Sequence, residues 1–414
     1  MLSERIQPEM NIGTAGHVDH GKSTLVQALT GVWPEKHSEE LKRGITIKLG
    51  YANAELRKCP NCDEPKCYTT SRKCPFDGSD TILLRKISIV DCPGHDTLMA
   101  TMLSGATLMD AALLVIASNE PVPQPQTREH LAALKIMEVK NIIVVQTKIE
   151  LVSREEAIKN YESIVGFLEE NLGYVPPIIP VSALHGVNIN YLIREMVRRF
   201  VPPERDLSKP PRMLVARSFD VNRPGTKPNN LKGGVIGGAI SQGKFKIGDE
   251  IEIRPGVHIR DKYVPLTTVI VSLKSEDIEL EEAKPGGLIG VGTKLDPSLT
   301  KADNMKGNVV GLINELPPVF SSIDVEASFF EKIVGFKEEI KVEQPKVGDL
   351  LQISIGTATV PAILEGKRGD MMSLTLRIPV CTELEQRLAI STRVSGRWRL
   401  VGHGLVKGGK EYRQ

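Results

Sequence analysis

The segment Gly16-His17-Val18-Asp19-His20-Gly21-Lys22-Ser23 decides how this chain is read. It fits glycine, four residues, then Gly-Lys-Ser/Thr, the pattern of a phosphate-binding loop. In such a loop the glycines let backbone N–H groups wrap a β-phosphate. The lysine neutralises β- and γ-phosphate oxygens, and the serine hydroxyl serves Mg²⁺. Residues 11–15 just upstream read as a strand, and residues 22–29 have helical periodicity. That helix starts at the loop and points its positive end at the anion. We assign Asp19, His20, Gly21, Lys22, Ser23 and Thr24 to the nucleotide, and Ser23 and Asp19 also to Mg²⁺. A plain glycine turn is the alternative for the motif taken alone.

Further motifs follow at the expected places. Asp91-Cys92-Pro93-Gly94 ends the apolar run 87–90. Asp91 there is placed to hold Mg²⁺ through water, and the Gly94 N–H to meet a γ-phosphate. Arg43-Gly44-Ile45-Thr46 lies between the two motifs, so Thr46 is expected to add a hydroxyl to Mg²⁺ when the γ-phosphate is present. His95 follows Gly94 and is assigned to orient the attacking water, with Gly94 and Asp19 completing the catalytic set. After the apolar run 141–145 comes Thr147-Lys148-Ile149-Glu150. The Lys148 stem can stack on a purine, and the Glu150 carboxylate can accept from guanine N1 and N2. Ser182-Ala183-Leu184, after the run 178–181, is assigned to guanine O6 through its backbone N–H groups.

Composition sets the outer bounds. The chain has 414 residues, two to four domains at roughly 100–200 residues each. Charged residues are 25% and hydrophobic residues 41%, which excludes wholesale disorder. Lys plus Arg is 53 against 51 for Asp plus Glu, so a globally basic nucleic-acid coat is excluded. The longest apolar runs, such as 111–117, are too short to span a bilayer, and residues 1–7 carry no apolar leader core. A cytoplasmic protein is expected. Runs 87–90, 111–117 and 141–145 alternate with helical stretches 127–137, 154–172 and 189–200. Alternation of this kind predicts a mostly parallel sheet with helices on both faces. Pro202, Pro203, Pro210 and Pro211 end it. Beyond them, short alternating strands and closely spaced glycines predict two antiparallel β-barrels. The expected domains are 1–204, 205–317 and 318–414.

Four of the six cysteines, Cys59, Cys62, Cys67 and Cys74, fall in one short stretch. Clustering of this kind suggests a metal rather than bridges. Four thiolates can close a structural zinc site, here in an insertion at 58–80 between two strands. Free thiols in a loop are the alternative, because the second half lacks a Cys-x₂-Cys pair. Near the end of the chain, Arg393, Arg397, Arg399, Lys407, Lys410 and Arg413 face one acid, Glu411. They are either an RNA-backbone patch or a solvated barrel face.

Together these motifs resemble the translational GTPases, through the phosphate loop, Gly44-Ile45-Thr46-Ile47-Lys48-Leu49-Gly50-Tyr51 and Asp91-Cys92-Pro93-Gly94-His95-Asp96. Later segments narrow the resemblance. They include Leu98-Met99-Ala100-Thr101-Met102-Leu103-Ser104-Gly105, Arg217-Ser218-Phe219-Asp220-Val221-Asn222-Arg223-Pro224-Gly225 and Gly396-Arg397-Trp398-Arg399-Leu400-Val401-Gly402. The chain is similar to the gamma subunits of archaeal and eukaryotic translation initiation factor 2. That family has Asn-Lys-x-Asp where this chain has Thr147-Lys148-Ile149-Glu150. The resemblance implies a GTPase domain and two barrels, similar to elongation factor Tu, using GTP, GDP and Mg²⁺. It implies alpha and beta subunits as partners and delivery of initiator methionyl-tRNA to the small ribosomal subunit, with hydrolysis as the release switch. It also implies exchange and activating factors. Two alternatives stand beside it: a carrier like the selenocysteine-specific elongation factor, and a nucleotide-insensitive assembly scaffold. An ATP-binding enzyme is disfavoured by Lys148 and Ser182-Ala183-Leu184.

Overall fold

The run Ala111–Ala117 is buried at every position, as a strand covered on both faces requires. It is the centre of the α/β unit. A computed structural model of the chain describes residues 6–33, 50–93, 99–276, 278–335 and 340–413. Its strands are β1 (Asn11–Gly16), β2 (Gly50–Lys58), β3 (Tyr68–Thr69), β4 (Ile82–Asp91), β5 (Ala111–Ala117), β6 (Asn141–Thr147) and β7 (Ile178–Pro180). They form one sheet in the order β3-β2-β4-β1-β5-β6-β7. The pairs from β4 through β1, β5 and β6 to β7 are parallel. β2 runs antiparallel to β4, and β3 antiparallel to β2.

The helices are α1 (Lys22–Thr30), α2 (Met99–Ala106), α3 (Pro125–Ile136), α4 (Arg154–Leu172) and α5 (Ile189–Arg199). Leu113 and Val115 of β5 share a core with Leu25 and Leu29 of α1 and with Leu192 and Met196 of α5. Side chains alternate along a strand, so the equally buried Ala112, Leu114 and Ile116 face the opposite side. α4 is well signalled. Ser153 accepts from the Glu156 N–H while the Glu156 side chain accepts from the Ser153 N–H, and Gly173 closes the other end.

The second unit is mostly β, with a short α-helix at Pro297–Thr300. Six strands close its first barrel in the order β11 (Glu250–Ile259), β16 (Val309–Leu312), β8 (Arg212–Phe219), β9 (Val235–Gln242), β15 (Ile289–Thr293), β12 (Lys262–Ser275) and back to β11. Short strands β10 (Phe245–Lys246), β13 (Ile278–Leu280) and β14 (Glu282–Ala283) lie beside this ring. The second barrel closes as β17 (Val319–Phe329), β20 (Met371–Cys381), β19 (Ala358–Arg368), β18 (Leu350–Ile355), β21 (Arg387–Val394) and β22 (Arg397–Glu411). Alternation fills it: Ile323 and Val325, Leu351 and Ile353, and Met372 and Leu374 all point to one core.

Strands on either side of the cysteine insertion are expected, but their antiparallel pairing as the long β2–β4 hairpin is not, nor is α2. Both lie where glycine and polar residues break the alternation.

Candidate functional site

The phosphate loop joins β1 to α1. Gly16 has φ 140°, and a Cβ there would come within 2.2 Å of the Val115 carbonyl oxygen. Gly21 caps α1 in the left-handed region, with φ 86°. No side chain caps this helix end. Its first N–H groups therefore point at the space where an anion would sit.

Lys22 is buried. Its Nζ donates to the Gly16 carbonyl at 3.0 Å and to the His17 carbonyl at 2.6 Å. Burial holds its pKa down, to about 8, against the pull of Asp91. A desolvated ammonium held by loop carbonyls is poised for a phosphate, whose charge would raise its pKa again.

Ser23 and Asp91 meet as expected. The Ser23 hydroxyl donates to Asp91 Oδ2 at 2.9 Å, and the Thr14 hydroxyl donates to Asp91 Oδ1 at 2.6 Å. Thr14 also accepts the Cys92 N–H at 3.3 Å. A fully buried carboxylate beside a serine hydroxyl is an all-oxygen donor set suited to Mg²⁺. Thr14 escapes sequence reading because a threonine near the end of a strand looks like an ordinary strand former. Asp19 is exposed on the loop at φ 60°. Thr24 is half-buried on the first turn of α1. The expected roles of Thr46, Gly94 and His95 fall outside the described residues.

Three histidines surround the loop. His130 of α3 is fully buried and its Nδ1 accepts the Gly16 N–H at 2.8 Å, so its proton sits on Nε2. Burial holds its pKa well below the usual value. His20 Nδ1 lies 3.1 Å from the Val115 carbonyl and Nε2 lies 3.3 Å from Glu120 Oε2. Burial pushes the pKa of His20 down to about 4, and that of His17 also to about 4. His130 carries no motif and cannot be found from spacing.

The base-reading segment is tied to the phosphate loop. Thr147 Oγ1 donates to the His20 carbonyl at 2.6 Å. This bond spans from the end of β6 to the loop, so the shorter threonine still reaches it. The Thr147 carbonyl accepts from both the N–H and the hydroxyl of Ser118, each at 2.8 Å. Lys148 has φ 58°, and Glu150 is exposed just beyond it. Ser182 is buried and pairs with Val187, while Ala183 is half-buried and Leu184 is 71% exposed.

The cysteine stretch forms a second candidate site. Sequence spacing points to Cys59, Cys62, Cys67 and Cys74. Among the described residues, the donor atoms of Cys59, Cys62, Cys74 and Asp77 all lie within 4.8 Å of one another. Cys67 is outside this group, although it is buried with Tyr68 in the same core that Cys59 and Cys74 enter. Of the basic residues near the end of the chain, Arg393, Arg397, Lys410 and Arg413 are exposed. Arg399 is buried, and Lys407 is paired with Glu385 at 2.8 Å and Glu326 at 3.1 Å.

A phosphate-loop motif, a buried carboxylate bonded to its serine, and a mostly parallel sheet, with two six-stranded barrels behind it in the chain, fit the class of the translational GTPases. The family described as elongation factor Tu GTP binding domain matches residues 7–203. The family described as initiation factor eIF2 gamma, C terminal, matches residues 321–406. Translation initiation factor 2 subunit gamma of Pyrococcus abyssi is 56% identical, covering 97% of this chain and 98% of the relative. The protein of the same name from Methanocaldococcus jannaschii is 54% identical over the same shares. A crystal structure of a bacterial selenocysteine-specific elongation factor superposes with TM-score 0.74 at 23% identity, covering 97% of this chain and 58% of that one, which shows the shared fold. This chain belongs to the translation initiation factor 2 subunit gamma family. It is a GTP-binding subunit of a translation initiation factor, and a GTPase. Among the described residues no helix is long and apolar enough to cross a membrane.

Proposed function

We propose that this chain is the nucleotide-switched core of a cytoplasmic heterotrimer, with alpha and beta subunits. In its GTP form it binds initiator methionyl-tRNA and brings it to the small ribosomal subunit. Hydrolysis releases the tRNA, and exchange and activating factors set the pace. The observation that carries this reading is the match along 97% of the chain to relatives named subunit gamma. The three-domain division at residues 204 and 317 is part of the proposal.

Within the switch, Lys22 and the N–H groups of Gly21 and α1 hold the phosphates. Ser23, Asp91, Asp19 and Thr46 are the proposed Mg²⁺ shell, direct or through water, and Mg²⁺ supplies charge neutralisation between the β- and γ-phosphates. His95 orients the attacking water, with Gly94 at the γ-phosphate. Thr147, Lys148, Glu150, Ser182, Ala183 and Leu184 receive the guanine. The bond from Thr147 to the His20 carbonyl favours a working base site over an inert scaffold. The insertion at 58–80 is proposed to hold structural zinc.

The test is a competition titration of a fluorescent GDP analogue with GTP, GDP and ATP at fixed Mg²⁺, followed by initiator-tRNA binding by the assembled trimer in each nucleotide state. Selective displacement by guanine nucleotides and GTP-dependent tRNA binding are expected. Equal displacement by ATP, or tRNA binding indifferent to nucleotide, refutes the switch.

A further inference from the structure

The cysteine insertion repeats one pattern with one change. Its first turn is Cys59-Pro60-Asn61-Cys62 and its second is Cys74-Pro75-Phe76-Asp77. Both place a second donor three residues after a Cys-Pro, and the second turn ends in a carboxylate. Gly78 follows with φ 72°, letting the chain fold back so that its N–H donates to the Cys74 carbonyl at 2.9 Å.

The distances suit one tetrahedral ion. Four donors around zinc, with Zn–S of about 2.3 Å and Zn–O of about 2.0 Å, stand about 3.8 Å apart for two sulfurs and about 3.5 Å for sulfur and oxygen. Cys62 Sγ and Cys74 Sγ are 3.6 Å apart, and Cys59 Sγ and Asp77 Oδ1 are 3.6 Å apart. The carboxylate is also oriented. Asp77 Oδ1 accepts from the Ser79 N–H at 3.0 Å and from its hydroxyl at 2.8 Å, and Oδ2 accepts from the Asn61 amide at 3.1 Å. Such outer partners are what fix a metal-ligating carboxylate. Cys67 does a different job. Its backbone accepts the Cys59 N–H at 2.8 Å and donates to Asp63 at 3.1 Å, while its thiol lies outside the group of converging donor atoms. A buried thiol of this kind packs as a small apolar group.

We propose that the zinc of this chain is held by Cys59, Cys62, Cys74 and the Asp77 carboxylate, with Cys67 a packing residue and not a ligand. This rests on the reading that the insertion binds zinc. Three thiolates keep the site selective for a soft or borderline ion over Mg²⁺ or Ca²⁺. The exposed, harder Asp77 makes the ion more exchangeable than it would be among four thiolates.

The full-length chain, reduced, stripped of metal and refilled with Co²⁺, gives the test. The intensity of the thiolate-to-cobalt charge-transfer band reports the number of Co–S bonds. Cys67→Ala should keep it. Asp77→Cys should raise it by about a third and tighten zinc, since a fourth thiolate joins three. Asp77→Asn should keep the three-thiolate band and weaken zinc at least about 10-fold in chelator competition. Because Cys67 is in the core, the two Asp77 variants carry the test if Cys67→Ala fails to fold. A band that drops by about a quarter in Cys67→Ala, or zinc affinity untouched by Asp77→Asn, overturns the proposal in favour of four cysteines. No charge-transfer band in the unaltered chain overturns the zinc reading itself, and this proposal with it.

Discussion

Replacing Thr147 by Val deletes one hydroxyl at a site 1% exposed and keeps the side-chain shape. In the parent chain that hydroxyl donates to the His20 carbonyl at 2.6 Å. The variant leaves this carbonyl against a methyl group in a dry pocket, a loss of about 1–3 kcal/mol. His20 directly precedes Gly21 and Lys22, so the loss falls on the loop that holds the phosphates. With about 2 kcal/mol of it expressed in binding, GDP affinity falls about 30-fold. Thr147→Asn keeps a donor at this place and should stay within about threefold of the parent. Competition titration of a fluorescent GDP analogue reads the affinity, and thermal melting of the nucleotide-free protein reads the fold. A Thr147→Val protein that binds GDP as the parent does, while melting lower, would show that Thr147 serves folding only. No change in either measurement would refute the tether altogether.

Other expectations follow from the same site. His20 has a folded pKa of about 4 against 6.5 unfolded, because burial outweighs the hydrogen bond to the Val115 carbonyl and the attraction of Asp19, with Lys22 and Lys148 adding to the depression. Between those values the unfolded chain binds a proton that the folded chain does not, so stability falls as pH falls. This group alone removes about 2 kcal/mol between about pH 7 and about pH 5. His20→Asn should flatten that part of the stability–pH curve, and an unchanged slope in urea titrations would sink the assignment. Lys22, at about 8 in the free loop, should regain its proton on nucleotide binding. Calorimetry near that pH in buffers of different ionisation heat should show net proton uptake, absent in Lys22→Met. Thr14→Val removes the hydroxyl bonded to Asp91 and should weaken Mg²⁺-dependent GDP binding by about 1–2 kcal/mol, with Mg²⁺-independent binding little changed. His95→Ala should slow single-turnover GTP hydrolysis without altering GTP affinity; equal rates would remove His95 from the catalytic set.

The α/β layout is legible because the central strands β1, β5 and β6 are covered on both faces. Runs such as Ala111–Ala117 are therefore continuously apolar and stand out against the amphipathic helices between them. The boundaries at 111–117 and 154–172 agree with the elements Ala111–Ala117 and Arg154–Leu172. The β2–β4 pairing is not legible, since β2 interleaves Asn and Glu with alanines, ends in Arg-Lys and lies toward the sheet edge. Barrel closure is also hidden, because which strand returns to pair with which depends on contacts between distant segments, as between Val319–Phe329 and Arg397–Glu411.

What the sequence alone determined was the local chemistry: a phosphate loop needs its glycines, lysine and serine at fixed spacing, and that spacing survives without any knowledge of the fold. What the tertiary structure decided was partnership. Thr14 reaches Asp91, Thr147 reaches the His20 carbonyl, and Asp77 replaces Cys67 among the converging donors. The reason is physical. A hydrogen bond or a metal shell is set by distances of a few ångströms, and residues far apart in the chain acquire those distances only when the sheet and its hairpin are packed.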